Sequence, residues 1–93
     1  MKISILLPYK ENFSDEYAGA VSIFIKDTVK KSRYKKNIFI YGNTLFKRKL
    51  LKNYINLDLK KKLFFESTSK SYIESFLKEE EKNISNIIEI HNR

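Results

Sequence analysis

Lys2-Ile3-Ser4-Ile5-Leu6-Leu7 is apolar at nearly every position and is stopped by Pro8. A strand with one wet face alternates apolar and polar residues, whereas a strand covered on both faces reads as a continuous apolar run. The stretch therefore predicts an inner strand of a parallel sheet. Asn37-Ile38-Phe39-Ile40-Tyr41-Gly42 repeats the pattern and closes on glycine. Between the two, residues 18–32 space Val21, Phe24, Ile25, Thr28 and Val29 for one face of a helix. Lys26, Lys30 and Lys31 fall on or near the other face, and the last two suit a helix C-terminus. Strand, helix and strand in this order make a βαβ unit, which is nearly always parallel.

Downstream, Phe46, Leu50, Leu51, Tyr54 and Ile55 recur at helical spacing, with Lys47, Arg48, Lys49 and Lys52 between them. That pattern predicts a short basic amphipathic helix in segment 43–62. Residues 62–65 read as a short third strand. Ser71-Tyr72-Ile73-Glu74 has the form of a capping box, with Ile73, Phe76 and Leu77 as the apolar stripe behind it. Glu74 and Lys78 stand four apart as an ion pair, and the helix should run to Lys82. Residues 84–90 form a last strand, ending in His91-Asn92-Arg93. The whole is an α/β chain with a Rossmann-like, largely parallel sheet. No helix follows the last strand, and a doubly wound domain usually needs well over about 100 residues. The 93 residues therefore read as an incomplete sheet, the first half of a domain.

Charge is concentrated. The chain carries 19 Lys and Arg against 11 Asp and Glu, a formal charge of +8. Residues 1–42 hold eight cations and four anions, residues 43–62 seven and one, and residues 63–93 four and six. The excess is thus largely one basic segment. Of the cations 16 are lysine and 3 arginine, beside abundant isoleucine and asparagine, the composition of an AT-rich coding sequence. Phosphate readers lean on bidentate arginine, so nucleic acid is disfavoured as a partner. A basic amphipathic segment with aromatic residues suits anionic lipid headgroups, with Lys47, Arg48, Lys49 and Lys52 as the contacts; the plain alternative is a solvated face.

Cysteine is absent, which excludes disulfides, a thiolate zinc site and a thiol nucleophile. His91 stands alone, which excludes a multi-histidine metal site. No metal and no cofactor is expected. The apolar runs fall far short of the ~20 residues of a membrane span, and the run from Met1 to Pro8 is too short for a signal peptide, so none is expected. A cytoplasmic protein is expected.

Ligands of open parallel sheets bind beyond the C-terminal strand ends, where the strand order reverses. Residues 8–19, Gly42 with Asn43, and His91-Asn92-Arg93 occupy that edge. With strand order 3-2-1-4 the first and last strands are neighbours, so the loop before Gly19 and His91 would line one crevice. Tyr17-Ala18-Gly19-Ala20 opens the first helix, where small residues admit a ligand and helix amides favour an anion. Gly19 could equally serve close packing, and the full Gly-x-Gly-x-x-Gly dinucleotide pattern is missing. Histidine is the side chain suited to proton transfer near neutral pH, and His91 is the chain's only one. It either caps its strand or serves a site, with Asn92 and Arg93 adding donors and Glu89 two residues away to orient the imidazole. Glu11, Asp15 and Glu16 form an acidic loop that is either solvated or part of the site.

The opening Lys-Ile-Ser-Ile-Leu-Leu-Pro, the Tyr-Ala-Gly-Ala turn into a helix, and the closing Ile-Ile-Glu-Ile-His-Asn-Arg resemble the N-terminal domain of GT-B glycosyltransferases. The resemblance is to the retaining, family 4-like group of nucleotide-sugar enzymes that build bacterial glycans, and it spans the chain. It implies two Rossmann-like domains facing across a cleft, the N-terminal one holding a glycan or glycolipid acceptor and the C-terminal one the nucleotide-sugar donor. Ala18, Gly19 and Ala20 resemble the glycine-rich helix opening of the family, with alanine where relatives often carry a first glycine. His91 resembles the histidine on the acceptor side of the cleft. Segment 43–62 resembles the basic surface by which several relatives dock on the inner membrane. The donor domain has no counterpart in these residues, so the chain alone is expected to be inactive.

Overall fold

A computed structural model describes residues 1–57 and 68–91. The elements are β1 (Ile3–Leu6), α1 (Ala20–Lys31), a 3₁₀ turn (Lys35–Asn37), β2 (Ile38–Gly42), β3 (Tyr54–Asn56), α2 (Thr68–Lys82) and β4 (Ile87–Ile90). The strands form one sheet in the order β3-β2-β1-β4, every neighbouring pair parallel. Ile3 pairs with Ile38 on one side and Ile87 on the other, so β1 is central. This is a Rossmann-like, all-parallel α/β sheet of the class expected from the sequence, and among the described residues its order is 3-2-1-4 with Tyr54–Asn56 as the third strand.

The continuous apolar runs have the predicted cause. Ile5, Leu7, Ile38, Ile40 and Tyr54 pack with Phe13 and with Ile25 and Val29 of α1 on one face. Leu6, Tyr41 and Leu57 pack with Tyr72 and Phe76 of α2 on the other. Each such side chain, once buried, contributes about 1.5–3 kcal/mol. The buried stripe of α1 is Ser22, Ile25 and Val29. Phe24, expected on the inner face, is 61% exposed instead.

Three further expectations are corrected. Residues 43–53 are not helical, and the third described strand is Tyr54–Asn56. The apolar residues there mimic helical spacing, yet they serve two faces. Leu50 and Leu51 pack with the α1-side cluster, as does Tyr54, while Ile55 packs on the α2 side. Polar side chains take up the backbone that a helix would bond: Thr44 Oγ1 accepts from the Phe46 amide at 3.2 Å, and Asn53 donates to the Ile38 carbonyl at 2.6 Å. Second, α2 begins at Thr68, so Ser71 lies inside the helix rather than at its cap. Third, Glu74 pairs with Lys70 at 3.9 Å, one turn earlier than the expected Lys78. Residues 62–65 lie outside the described residues, as do Asn92 and Arg93.

A buried polar group seats β4. Glu80 accepts from the Ser85 hydroxyl at 2.6 Å and the Ser85 amide at 2.9 Å. The hydroxyls of Ser85 and Ser4 share a hydrogen bond of 2.6 Å. Lys2 donates to the Asn83 carbonyl at 2.7 Å, and its amide donates to Asn86 Oδ1 at 2.9 Å. The lysine ammonium also lies 3.9 Å from Glu80 and over the rings of Phe39 and Tyr41. Burial raises the Glu80 carboxyl, but the Ser85 and Ser4 hydrogen bonds and the Lys2 charge outweigh it and hold the group below the usual range.

Candidate functional site

The C-terminal edge of the sheet gathers the loop after β1, the loop after β2 and the residue after β4. The turn at residues 8–11 is closed by the Glu11 amide donating to the Pro8 carbonyl at 3.1 Å. Lys10 takes φ +66° in it, a left-handed conformation uncommon for a residue with a side chain. Behind the turn Tyr72 donates its hydroxyl to the Leu7 carbonyl at 2.6 Å, and its ring packs on Tyr9 at 5.4 Å. His91 follows β4 and donates its amide to the Leu6 carbonyl at 3.0 Å. The expected sharing of one edge by the β1 loop and His91 is therefore observed. His91 Nε2 lies 2.9 Å from Glu89 Oε1, so Glu89 orients the imidazole.

The start of α1 differs in an informative way. Helix amides at an N-terminus favour an anion, and here the anion is the chain's own Glu11. Its Oε2 accepts from the Ser22 hydroxyl at 2.8 Å and the Ser22 amide at 3.3 Å. Gly19, the N-cap, has φ −79°, which any residue can adopt. What it supplies is space: a Cβ there would lie 2.2 Å from Glu11 Oε2. Ala18 and Gly19 are half-buried, whereas Tyr17 and Ala20 are exposed. Of the acidic loop, Glu11 thus serves the fold, while Asp15 pairs with Arg48 at 3.3 Å on the surface.

Asparagines fix the neighbouring loops. Thr44 donates its hydroxyl to Asn12 Oδ1 at 2.8 Å and its amide to Asn56 Oδ1 at 2.9 Å. Asn43 donates to the Leu57 carbonyl at 2.8 Å. Phe13 stacks on Tyr54 with ring centroids 5.4 Å apart, and the Leu50 amide reaches the Phe13 carbonyl at 3.2 Å. Residues 9–19 and 44–54 therefore form one rigid loop pair. Glu11, Asn12, Ser22 and Thr44 build it, and the sequence marked only Glu11 among them. The available signal was the asparagine enrichment, since asparagine side chains imitate backbone in turns.

The four basic residues do not act alike. Lys47, Arg48 and Lys52 are exposed. Lys49 instead lies over the Tyr54 ring at 5.1 Å with its ammonium on the Phe46 carbonyl, and burial pulls its pKa down. Just before them Leu45 is 96% exposed, next in sequence to Phe46, whose ring pairs with Tyr17 at 5.1 Å. No described helix is long and apolar enough to cross a membrane, and no three His, Asp or Glu of the described residues cluster as metal ligands. No protein-family model, curated protein or solved structure matches the chain.

Proposed function

We propose that this chain is the acceptor-side Rossmann-like unit of a retaining GT-B glycosyltransferase that extends a bacterial surface glycan or glycolipid. One observation carries the reading: the parallel order β3-β2-β1-β4 puts the loop after β1 and His91 at the same strand ends, through the His91–Leu6 hydrogen bond. Sugar hydroxyls suit the donors and acceptors there, with His91 and Glu89 as a polar pair at the end of β4. A second Rossmann-like domain would supply the nucleotide-sugar, and charge developing in transfer would be met by positioned donors rather than an ion. Because Glu11 fills the α1 N-terminus, the donor phosphates belong to that other domain.

The test is an amide-resolved titration with two probes, delipidated lipopolysaccharide core oligosaccharide and UDP-glucose. The reading expects oligosaccharide shifts confined to residues 9–20 and His91, and none from UDP-glucose. Absence of oligosaccharide shifts in that region would defeat it.

A second reading is favoured by a separate observation, the exposure of Leu45, Lys47, Arg48 and Lys52 within one loop. It makes the chain a small basic α/β module that binds anionic membrane through loop 43–52. An inserted leucine contributes about 1.5–3 kcal/mol and each nearby cation about 1 kcal/mol. Sedimentation with phosphatidylglycerol vesicles should weaken for Leu45→Ser and for Lys47→Gln with Arg48→Gln. Binding that those changes leave intact, or that an oligonucleotide competes away, would refute the membrane contact.

A further inference from the structure

A second concentration of charge lies at the opposite edge of the sheet from the candidate site. Lys30-Lys31-Ser32-Arg33-Tyr34-Lys35-Lys36 joins α1 to β2 and holds five cations and no acid in seven residues. All five are exposed. None is ion-paired among the described residues, and Asp27, the acid nearest in sequence, is taken up by Lys26 at 3.9 Å. The negative end of the helix dipole accounts for Lys30 and Lys31, which lie in the last turn of α1. It does not account for Arg33, Lys35 and Lys36, which lie beyond the helix. Like charges this close repel one another, and a surface serving solubility alone would mix the signs.

The turn is also held in shape. The amides of Ser32, Lys35 and Asn37 donate to the carbonyls of Val29, Ser32 and Tyr34 at 3.1, 3.3 and 2.8 Å. The Tyr34 amide donates to Ser32 Oγ at 3.1 Å, and the Asn37 side chain donates to the Met1 carbonyl at 2.8 Å. On this frame the Arg33 guanidinium lies over the Tyr34 ring, 5.1 Å from its centroid, while 42% of the tyrosine stays exposed. A ring backed by a cation and open to solvent is a stacking platform for a flat π-system.

We propose that the turn at residues 30–36 binds single-stranded nucleic acid, with the five cations along the phosphates and a base stacked on Tyr34. Bidentate arginine is needed to read base edges, whereas contact with the backbone needs only point charges, which lysine supplies. An unpaired strand is favoured over a duplex, because bases within a duplex keep their faces stacked on one another. An anionic bilayer is the weaker fit: the turn carries no aliphatic side chain to insert, only charge around one tyrosine. The turn precedes β2, whereas the loop with Leu45 follows it, so this inference stands independently of both readings above.

The experiment is fluorescence anisotropy with a mixed-sequence single-stranded RNA. The same sequence as a duplex, and sedimentation with phosphatidylglycerol vesicles, serve as comparators. Binding should fall linearly on a log–log salt plot, with a slope of roughly −3 to −4 for five cations on a single strand. Lys35→Gln with Lys36→Gln should flatten that slope by about 1.4. Lys78→Gln with Lys82→Gln removes the same charge from α2 and should leave the slope unchanged. Tyr34→Ala should weaken RNA binding roughly tenfold without altering the slope, the mark of a lost stack rather than a lost charge. Circular dichroism checks that these variants, all at exposed positions, stay folded. No RNA binding at about 50 mM salt, a slope that the Lys35 and Lys36 changes leave intact, a Tyr34→Ala variant that binds like its parent, or tighter binding to the duplex or the vesicles would each overturn the inference.

Discussion

Glu11 Oε2 accepts both the hydroxyl and the amide hydrogen of Ser22, at 2.8 and 3.3 Å, in space that a side chain on residue 19 would need. A carboxylate eleven residues upstream thus does what an N-cap side chain normally does. The helix start is built as an internal ion site already filled.

Gly19→Ala should therefore act through Glu11. The added methyl would displace the carboxylate and strand the Ser22 donors, at a cost of about 1.5–3 kcal/mol for hydrogen bonds to a charged group. In a double-mutant cycle with Glu11→Gln the two effects should be strongly non-additive. Additive losses in urea unfolding would show that Gly19 matters for another reason.

Acid should unfold the protein partly through Glu80. Its folded carboxyl lies below the ordinary value of 4.5, so the unfolded state binds its proton first as pH falls. Stability from this group is full above that ordinary value and is lost as pH drops through the folded one. Glu80→Gln should lower stability near neutral pH by about 1–3 kcal/mol and flatten the acid limb of the stability curve. An unchanged acid limb would assign acid unfolding to other carboxylates.

Alkali acts through the core phenols. Burial pushes both Tyr54 and Tyr72 well above the ordinary value of 10.0. Above that value the unfolded chain releases protons that the native one keeps, so stability falls as pH rises. Replacing both by Phe should remove this loss, although each also sacrifices a hydrogen bond worth about 1 kcal/mol. The check is the pH at which alkaline unfolding begins, which should rise in the double variant despite its lower stability at neutrality.

Lys10→Gly should stabilise the fold. Lys10 holds φ +66° in the turn after β1, a region that glycine enters freely. The gain expected is about 0.5–1 kcal/mol, or roughly 2–8 °C in Tm for a domain of this size. A lower Tm would mean that the Lys10 contact with the Tyr9 ring outweighs the backbone relief.

Much of the architecture was legible because burial on both faces leaves an unmistakable run. Residues 2–7 and 37–42 declared β1 and β2, and the lysines of α1 marked its end. The basic segment misled for a physical reason. Phe46, Leu50, Leu51, Tyr54 and Ile55 keep helical spacing by chance, while Leu50, Leu51 and Tyr54 pack on one face, Ile55 on the other and Phe46 against Tyr17, which only the tertiary arrangement reveals. At the candidate site, the common edge of His91 and the β1 loop followed from topology alone. The role of Glu11 did not, because an acid in a polar loop reads as solvated until its partner Ser22 is brought beside it. Leu45, between Thr44 and Phe46, carries no signal of its own in the sequence, and among the described residues it is left 96% exposed.

The amide of Lys2 bonds Asn86, 84 residues away, and β1 pairs on one side with a strand that ends at Ile90. During synthesis β1 must therefore wait, half-paired, until residues 86–90 have emerged. Contacts of such long sequence separation close late and slow folding. The nascent chain keeps an apolar strand edge open throughout that interval, which makes it a natural client for chaperones that shield extended apolar segments.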